Sequence, residues 1–326
     1  MKDRNNKEEG LSIHLPVMVK EVLRYLAPGE SKDGVFLDAT TSTGGHAVEI
    51  ARQLGSEGTL IGLDLDTKAL EFTKERLSGT PPEVLLYQAN YKDMDLALER
   101  AGKSKADGIL FDLGFSTFQI EESSRGFSFQ RNGPLDMRMN PAGELSAEDI
   151  VNEYKFEELK RIIGSYGEES WADAIARKIV EKRKEKRLET TGQLVEVIDA
   201  AIPEGVKARR KNHPATGTFQ GLRIAVNDEL NNLEGGLEKG FNCLSMNGVM
   251  VVISYHSLED RKVKRFFNFK AKDCICPPEL PVCRCDKESE LDILTEGALR
   301  PAREEVEANP RARSARLRAG RKLVAN

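Results

Sequence analysis

The 326-residue sequence predicts an α/β protein, a doubly wound and mostly parallel sheet interrupted by an inserted helical domain. Short β-branched and apolar runs recur at Val35–Ala39, Thr59–Asp64, Val84–Gln88 and Gly108–Leu113, with helical stretches between them. The rhythm stops between Ser116 and Pro214, where only Gly-rich turns and helical runs are found. It resumes with a helix over Thr218–Leu237 and a strand over Gly248–Ser254. The expected partition is a polar, disordered stretch over 1–10, a sheet domain over 11–115 and 216–326, and a helical domain over 116–215.

The elements follow in order. Pro16 suits a first helical turn, and Val19, Val22, Leu23 and Leu26 keep the spacing of one helix face. The first strand ends in Asp38 and opens through Ala39-Thr-Thr-Ser-Thr-Gly-Gly45 into a helical stretch, Ala47–Leu54. The second strand ends in Asp64, and further helices are expected over Trp171–Leu188 and Gly192–Ala201. In a doubly wound sheet, ligands sit beyond the carboxyl ends of the strands. The residues expected there run from Asp38 to His46, then Asp64, Asn90 with Tyr91, and Asp112.

The turn after the first strand lacks G-x-G-x-x-G, the pattern that seats a pyrophosphate on a helix N-terminus. The acidic residue about twenty positions on could bind two ribose hydroxyls. A nucleoside cofactor without phosphates fits this best, which points to S-adenosylmethionine (SAM). Another nucleotide, or a purely structural turn, stays open on the turn alone.

Apolar residues make up 39% of the chain and charged residues 31%, the balance of a soluble globular protein. No apolar run is long enough for a membrane span, and the polar N-terminus reads as no signal peptide, so a cytoplasmic protein is expected. The net charge of −4 argues against a uniformly basic nucleic-acid binder. Basic residues nevertheless cluster at Arg177–Arg187, at Lys207–Lys211 and at Arg311–Lys322. Each could be a solvated face; together they suggest a nucleic-acid partner.

Asp112 ends the fourth strand, where a target group would meet a methyl donor. It could orient an amine, hold the cofactor's amino group, or simply cap the following turn. His46, His213 and His256 fall in loop-like segments beside strand or helix ends and are candidates for the same pocket or for structural roles. The loop from Arg125 to Met139 is rich in Gly, aromatic and Arg residues, and could stack a base or pack into the core. Cys274, Cys276, Cys283 and Cys285 form a C-x-C-x6-C-x-C pair that could hold a structural zinc ion or stay as free thiols.

These motifs resemble one family. His14-Leu-Pro, the Asp38–His46 turn, Asp112-Leu-Gly-Phe-Ser-Thr117, Arg125-Gly-Phe-Ser-Phe129, Gly133-Pro-Leu-Asp-Met-Arg-Met139 and Tyr166-Gly-Glu-Glu169 are similar to blocks of the RsmH (MraW) methyltransferases. So are His213-Pro-Ala-Thr-Gly-Thr-Phe-Gln220, Ser254-Tyr-His-Ser-Leu-Glu-Asp-Arg261 and Asn309-Pro-Arg-Ala-Arg-Ser-Ala-Arg316. The resemblance implies a class I SAM-dependent methyltransferase, Rossmann-like, with an inserted helical domain. Its implied substrate is the N4 amine of a cytidine in the decoding region of 16S rRNA, within the small ribosomal subunit. The implied SAM contacts are Gly44, Gly45, His46, Asp64, Tyr91, Asp112 and Gln119. Asp112, His213 and His256 are the candidates for handling the amine and its proton.

Three residues depart from the family pattern: Ser42 and Gly217 replace a usual glycine and arginine, and Phe115 replaces a usual valine. Weakened binding of SAM or RNA is the expectation, relieved by Ser42→Gly and Gly217→Arg. Two other functions compete: an RNA-binding assembly factor without turnover, and an amino methyltransferase acting on another nucleic acid. The sequence leaves monomer and homodimer open.

Overall fold

The computed structural model describes residues 16–114, 122–277 and 282–324. The expected disorder over 1–10, Phe115 and the implied cofactor residue Gln119 lie outside the described residues. The chain forms two compact units. One holds 16–114, 139–143 and 224–324; the other holds 122–138 and 144–223. The division falls between Arg223 and Ile224, inside the helix Thr216–Asn227, whereas the sequence placed a boundary at 215/216.

The first unit is built on a seven-stranded sheet in the order β3-β2-β1-β4-β5-β7-β6. Its strands are β1 Val35–Asp38, β2 Thr59–Asp64, β3 Glu83–Gln88, β4 Ala106–Asp112, β5 Leu244–Ser254, β6 Leu291–Ile293 and β7 Arg316–Lys322. From β3 to β5 all neighbours are parallel, while β7 pairs antiparallel with both β5 and β6. This bears out the mostly parallel, Rossmann-like expectation. Helices cover both faces, which is why the strands read as nearly continuous apolar runs. Successive residues serve opposite layers. Leu37, Ile61, Phe111 and Val252 pack with Leu237, Phe241 and Phe267, whereas Phe36, Leu60, Leu110 and Val251 pack with Val22, Leu26, Val48 and Ile50. Gly62 is required inside β2, because a Cβ there would lie 2.6 Å from Leu86 Cδ2 and 2.7 Å from Thr41 Oγ1.

Two expectations fail here. The predicted helix Thr218–Leu237 is two helices, Thr216–Asn227 and Glu229–Cys243, broken at Asp228 with φ 48°. The break is fixed by side chains: Asn227 Oδ1 accepts from Met139 N at 2.7 Å, and Asn232 Nδ2 donates to the Asn227 carbonyl at 2.9 Å. Half of the basic cluster at the C-terminus is internal structure, because Arg316–Lys322 is a strand between β5 and β6, while Arg311, Arg313 and Arg321 are exposed. Arg316 and Arg318 both hold Asp260, at 3.2 and 2.8 Å. Lys322 is fully buried; its Nζ donates to the Leu244 carbonyl at 2.9 Å and lies 5.0 Å from the centre of the Phe241 ring.

The second unit is helical, as expected. Its helices include Ala147–Glu153, Phe156–Arg161, Ala172–Lys182 and Thr191–Ala201, the last opened by a reciprocal Thr190–Gln193 cap. Ile150, Leu159, Ile162, Ile175, Ile179, Leu194 and Ile198 are buried in it. Among the described residues it contains no strand, only an isolated bridge between Pro134 and Thr190. The basic stretch Arg177–Arg187 is laced by local pairs: Arg177 with Asp173 at 2.8 Å, Lys178 with Glu181 at 3.0 Å and Lys182 with Glu185 at 3.0 Å. Such pairs suit a solvated helix face. Among the described residues no helix is long and apolar enough to cross a membrane.

Burying Lys322 makes a testable demand. Lys322→Ala leaves both a void and an unpaired carbonyl, so it should destabilise the protein by about 3 kcal/mol in urea unfolding. Lys322→Met, which keeps the volume, should cost clearly less. Equal costs would show that packing around the aliphatic stem does not matter.

Candidate active site

The turn after β1 is built by its neighbours. Ser42 and Gly44 take left-handed backbone angles, φ 49° and 76°. The Ser42 N–H donates to Asp64 Oδ2 at 2.8 Å, Thr73 Oγ1 donates to the Ser42 carbonyl at 2.7 Å, and Arg76 Nη1 donates to the Thr43 carbonyl at 2.6 Å. A Cβ on Gly44 would meet Thr73 Cγ2 at 2.8 Å, and one on Gly45 would meet Pro16 Cβ at 3.0 Å. Close packing thus excludes side chains from both glycines and leaves their backbone to line the turn. The penalty foreseen for Ser42 is present, since a serine occupies a conformation suited to glycine. Its Oγ is also buried without a hydrogen-bond partner.

Asp64 ends β2 with both carboxylate oxygens aimed at backbone donors, Oδ1 accepting from Asp66 N and Oδ2 from Ser42 N, each at 2.8 Å. Burial pushes its pKa up to about 6, against the pull of those N–H groups. Each oxygen keeps a further lone pair for a ribose hydroxyl. Tyr91, past the end of β3, stands edge-on to Phe111 with ring centres 5.7 Å apart. It fits there because residue 236 is glycine: a Cβ at that position would lie 2.5 Å from the Tyr91 ring.

At the end of β4, Asp112 is held from both sides. Tyr255 Oη donates to Oδ1 at 2.8 Å, and His46 Nδ1 lies 3.3 Å from Oδ2. The other ring nitrogen of His46 is 2.8 Å from the Val17 carbonyl oxygen, which can only accept. Nε2 therefore carries a proton, and Nδ1 faces a carboxylate, so the arrangement suits an imidazolium. Burial opposes that charge, but the Asp112 hydrogen bond and charge, together with Asp38, raise the His46 pKa. Asp38, buried beside it, is pushed up to about 7 by burial, with His46 pulling the other way. His46 thus braces the site instead of presenting a free ring to it.

The other two histidines have separate duties. His256 precedes the helix Ser257–Lys270 and caps it, with Nδ1 3.4 Å from Glu259 N and Nε2 3.1 Å from Glu259 Oε1. Glu259 in turn accepts from Tyr255 N at 2.8 Å, so the cap fixes the residue that binds Asp112. His213 belongs to the helical unit, where its ring stacks on Phe129 with centres 4.7 Å apart. Phe129 also meets Phe219 edge-on at 5.3 Å. The Arg125–Met139 loop is internally tied, with Arg138 on Asp136 at 2.6 Å and Arg125 Nη2 on the Arg138 carbonyl at 2.9 Å. Gly217 has no room for the arginine expected to help: its Cβ would lie 2.9 Å from the Gly167 carbonyl oxygen. Glu169 beside it is already gripped by both Arg210 nitrogens, at 2.7 Å each.

Sequence reasoning missed Tyr255. Its signal was positional: Ile253 pairs with Asp112 across β4 and β5, so the residue two places on lies at the same end of the sheet.

The model of the MraW methylase family matches residues 11–323. The chain belongs to this family. It is 45% identical over 311 residues to Ribosomal RNA small subunit methyltransferase H of Heliobacterium mobile, covering 95% of this chain and 99% of that one. The protein of the same name from Symbiobacterium thermophilum is 47% identical over 314 residues, covering 96% and 97%. Among solved structures, an rRNA methylase from Streptococcus thermophilus aligns over 94% of each chain at 10% identity, with a TM-score of 0.42. A methylase of this family takes its methyl group from SAM. The residues at the strand ends fit such a cofactor: Asp64 offers ribose acceptors, the Gly44–Gly45 backbone offers a close approach, and Tyr91 supplies an aromatic face.

Two outcomes follow from the geometry. Ser42→Gly removes a left-handed serine and a buried unpartnered hydroxyl, and should stabilise the protein by about 1 kcal/mol in denaturant titration; a loss would show that the serine makes a compensating contact. The Asp38 pKa is raised in the fold, so between about pH 4 and pH 7 the folded state holds a proton that the unfolded chain releases. Its contribution to stability therefore falls as pH rises through that window. The Asp38→Asn variant lacks this loss, so its unfolding free energy relative to the parent should rise between about pH 4 and pH 7 and level off above. A flat difference would place the Asp38 pKa near its ordinary value.

Proposed function

We propose that the protein transfers the methyl group of SAM to the N4 amine of a cytidine in the decoding region of 16S rRNA, acting on the small ribosomal subunit in the cytoplasm. The observation that carries this reading is the end-to-end match to relatives named Ribosomal RNA small subunit methyltransferase H. Bound SAM supplies an electrophilic methyl group on a sulfonium. An exocyclic amine is a poor nucleophile, because its lone pair is delocalised into the ring. A carboxylate that accepts its N–H turns the lone pair toward the methyl group and takes up developing charge.

Asp112 is the carboxylate suited to that role. Tyr255 and His46 fix its two oxygens, and each oxygen keeps a lone pair free. Asp64 holds the ribose, while Gly44, Gly45 and Tyr91 line the cofactor; the family resemblance adds Gln119 to that set. His213, stacked on Phe129, is a further candidate for handling the amine and its proton, and His256 positions Tyr255. The cytosine must leave its stack to reach the methyl group. Splayed RNA is the usual target of protein readers, so the assembled subunit is a better substrate than a naked oligonucleotide.

The test uses small subunits from cells lacking this modification, isotopically labelled SAM, and mass spectrometry of the digested nucleosides. Label should appear in N4-methylcytidine. Asp112→Asn should lower the rate about a hundredfold while SAM still binds. Label in another nucleoside, or none with SAM bound, would overturn the assignment.

A further inference from the structure

Four cysteines stand outside the methyl-transfer site, in the segment joining the helix Ser257–Lys270 to β6. Cys274 Sγ lies 3.4 Å from Cys283 Sγ, and Cys283 Sγ lies 3.5 Å from Cys285 Sγ. Cys276 to Cys283 and Cys285 to Cys274 are both 3.9 Å, and all four sulfurs lie within 4.8 Å of one another. A disulfide would hold its sulfurs about 2.0 Å apart, so no pair is bonded. Four thiolates around one zinc ion, each at about 2.3 Å, define a tetrahedron with edges of about 3.8 Å. The observed spacing is that of such a tetrahedron, and is too tight to enclose a multi-iron cluster.

The backbone around the sulfurs is arranged to match. The Ile275 N–H, between the first two cysteines, donates to Cys285 Sγ at 3.3 Å. The Arg284 N–H, between the last two, donates to Cys276 Sγ at 3.3 Å. Each C-x-C arm thus donates to a sulfur of the other, the kind of outer-shell contact that orients metal ligands and moderates thiolate charge.

Besides the cysteines, the described part of the segment is held near its base, where Lys287 pairs with Glu290 and its Nζ lies 5.6 Å from the centre of the Phe269 ring. That base is closed where Glu290 N donates to the Lys270 carbonyl at 2.8 Å. Beyond that base, no described residue from 271 to 290 is buried, and Ile275 and Val282 are 50% and 67% exposed. With neither regular structure nor apolar burial among its described residues, this stretch does not meet its ordering entropy through packing of those residues. A metal ion bound by four side chains does so directly.

We propose that Cys274, Cys276, Cys283 and Cys285 bind one structural zinc ion, which orders this segment. The site is independent of the methyl-transfer reading, since it shares no residue with it. The test uses the full-length protein purified without added metal or chelator. Elemental analysis should find one zinc per chain, released in step with titration of the cysteines by an organomercurial. Stripping the zinc with a chelator should speed protease cleavage within 271–290 several-fold, and restoring zinc should reverse this. The Cys274→Ser/Cys283→Ser double variant should lose the zinc. Metal-free protein whose four thiols react at the rate of ordinary surface cysteines would overturn the proposal. So would iron in place of zinc, zinc retained by the double variant, or a mass showing two disulfides.

Discussion

The strand-end site depends on one ion pair between a buried histidine and a partly buried aspartate. His46 is clamped between the Val17 carbonyl and the Asp112 carboxylate, tying the segment before the first helix to the end of β4. Its two hydrogen bonds run to groups that only accept, which demands a protonated ring in a buried place. Such a pair is poor evidence of net stability, because desolvation offsets much of its attraction. Its value here is positional. Asp112 cannot rotate without abandoning His46 or the Tyr255 hydroxyl, so the carboxylate waits in one orientation for an amine.

The carboxylates around this pair divide their roles through their surroundings. Asp38 and Asp64 are both raised by burial, to about 7 and about 6. Asp64 is drawn back by two backbone N–H groups, and these also tie it to the Ser42 turn. Asp38 sits deeper, beneath the turn, with Thr40 N donating to it at 3.2 Å. Four parallel strands therefore end in a small polar field, with the turn glycines and Tyr91 forming its walls.

Much of this was legible in the sequence, for identifiable reasons. β1, β2, β4 and most of β5 are buried on both faces, so their apolar runs stood out, and the residues at the ends of β1, β2, β3 and β4 could be named in advance. β7 was hidden because Arg316, Arg318 and Lys322 read as a charged tail. Asp260 pairs with two of these residues, and the third donates to a backbone carbonyl from within the core. The continuous helix from 218 to 237 failed because Asp228 turns left-handed beside Asn227, whose side chain is held by the distant Met139 N–H, a contact that no local pattern announces. The bracing duty of His46 likewise depends on Val17 and Asp112, partners distant in sequence, whereas the cap at His256 rests on Glu259 three residues on.

The most direct test of this organisation is nitrogen NMR of the His46 ring, assigned by comparison with a His46→Gln variant. A brace between two acceptors predicts that both ring nitrogens stay protonated well above the ordinary histidine pKa of about 6.5. A neutral ring at neutral pH, with one nitrogen unprotonated, would contradict the account and leave Asp112 without its fixed partner.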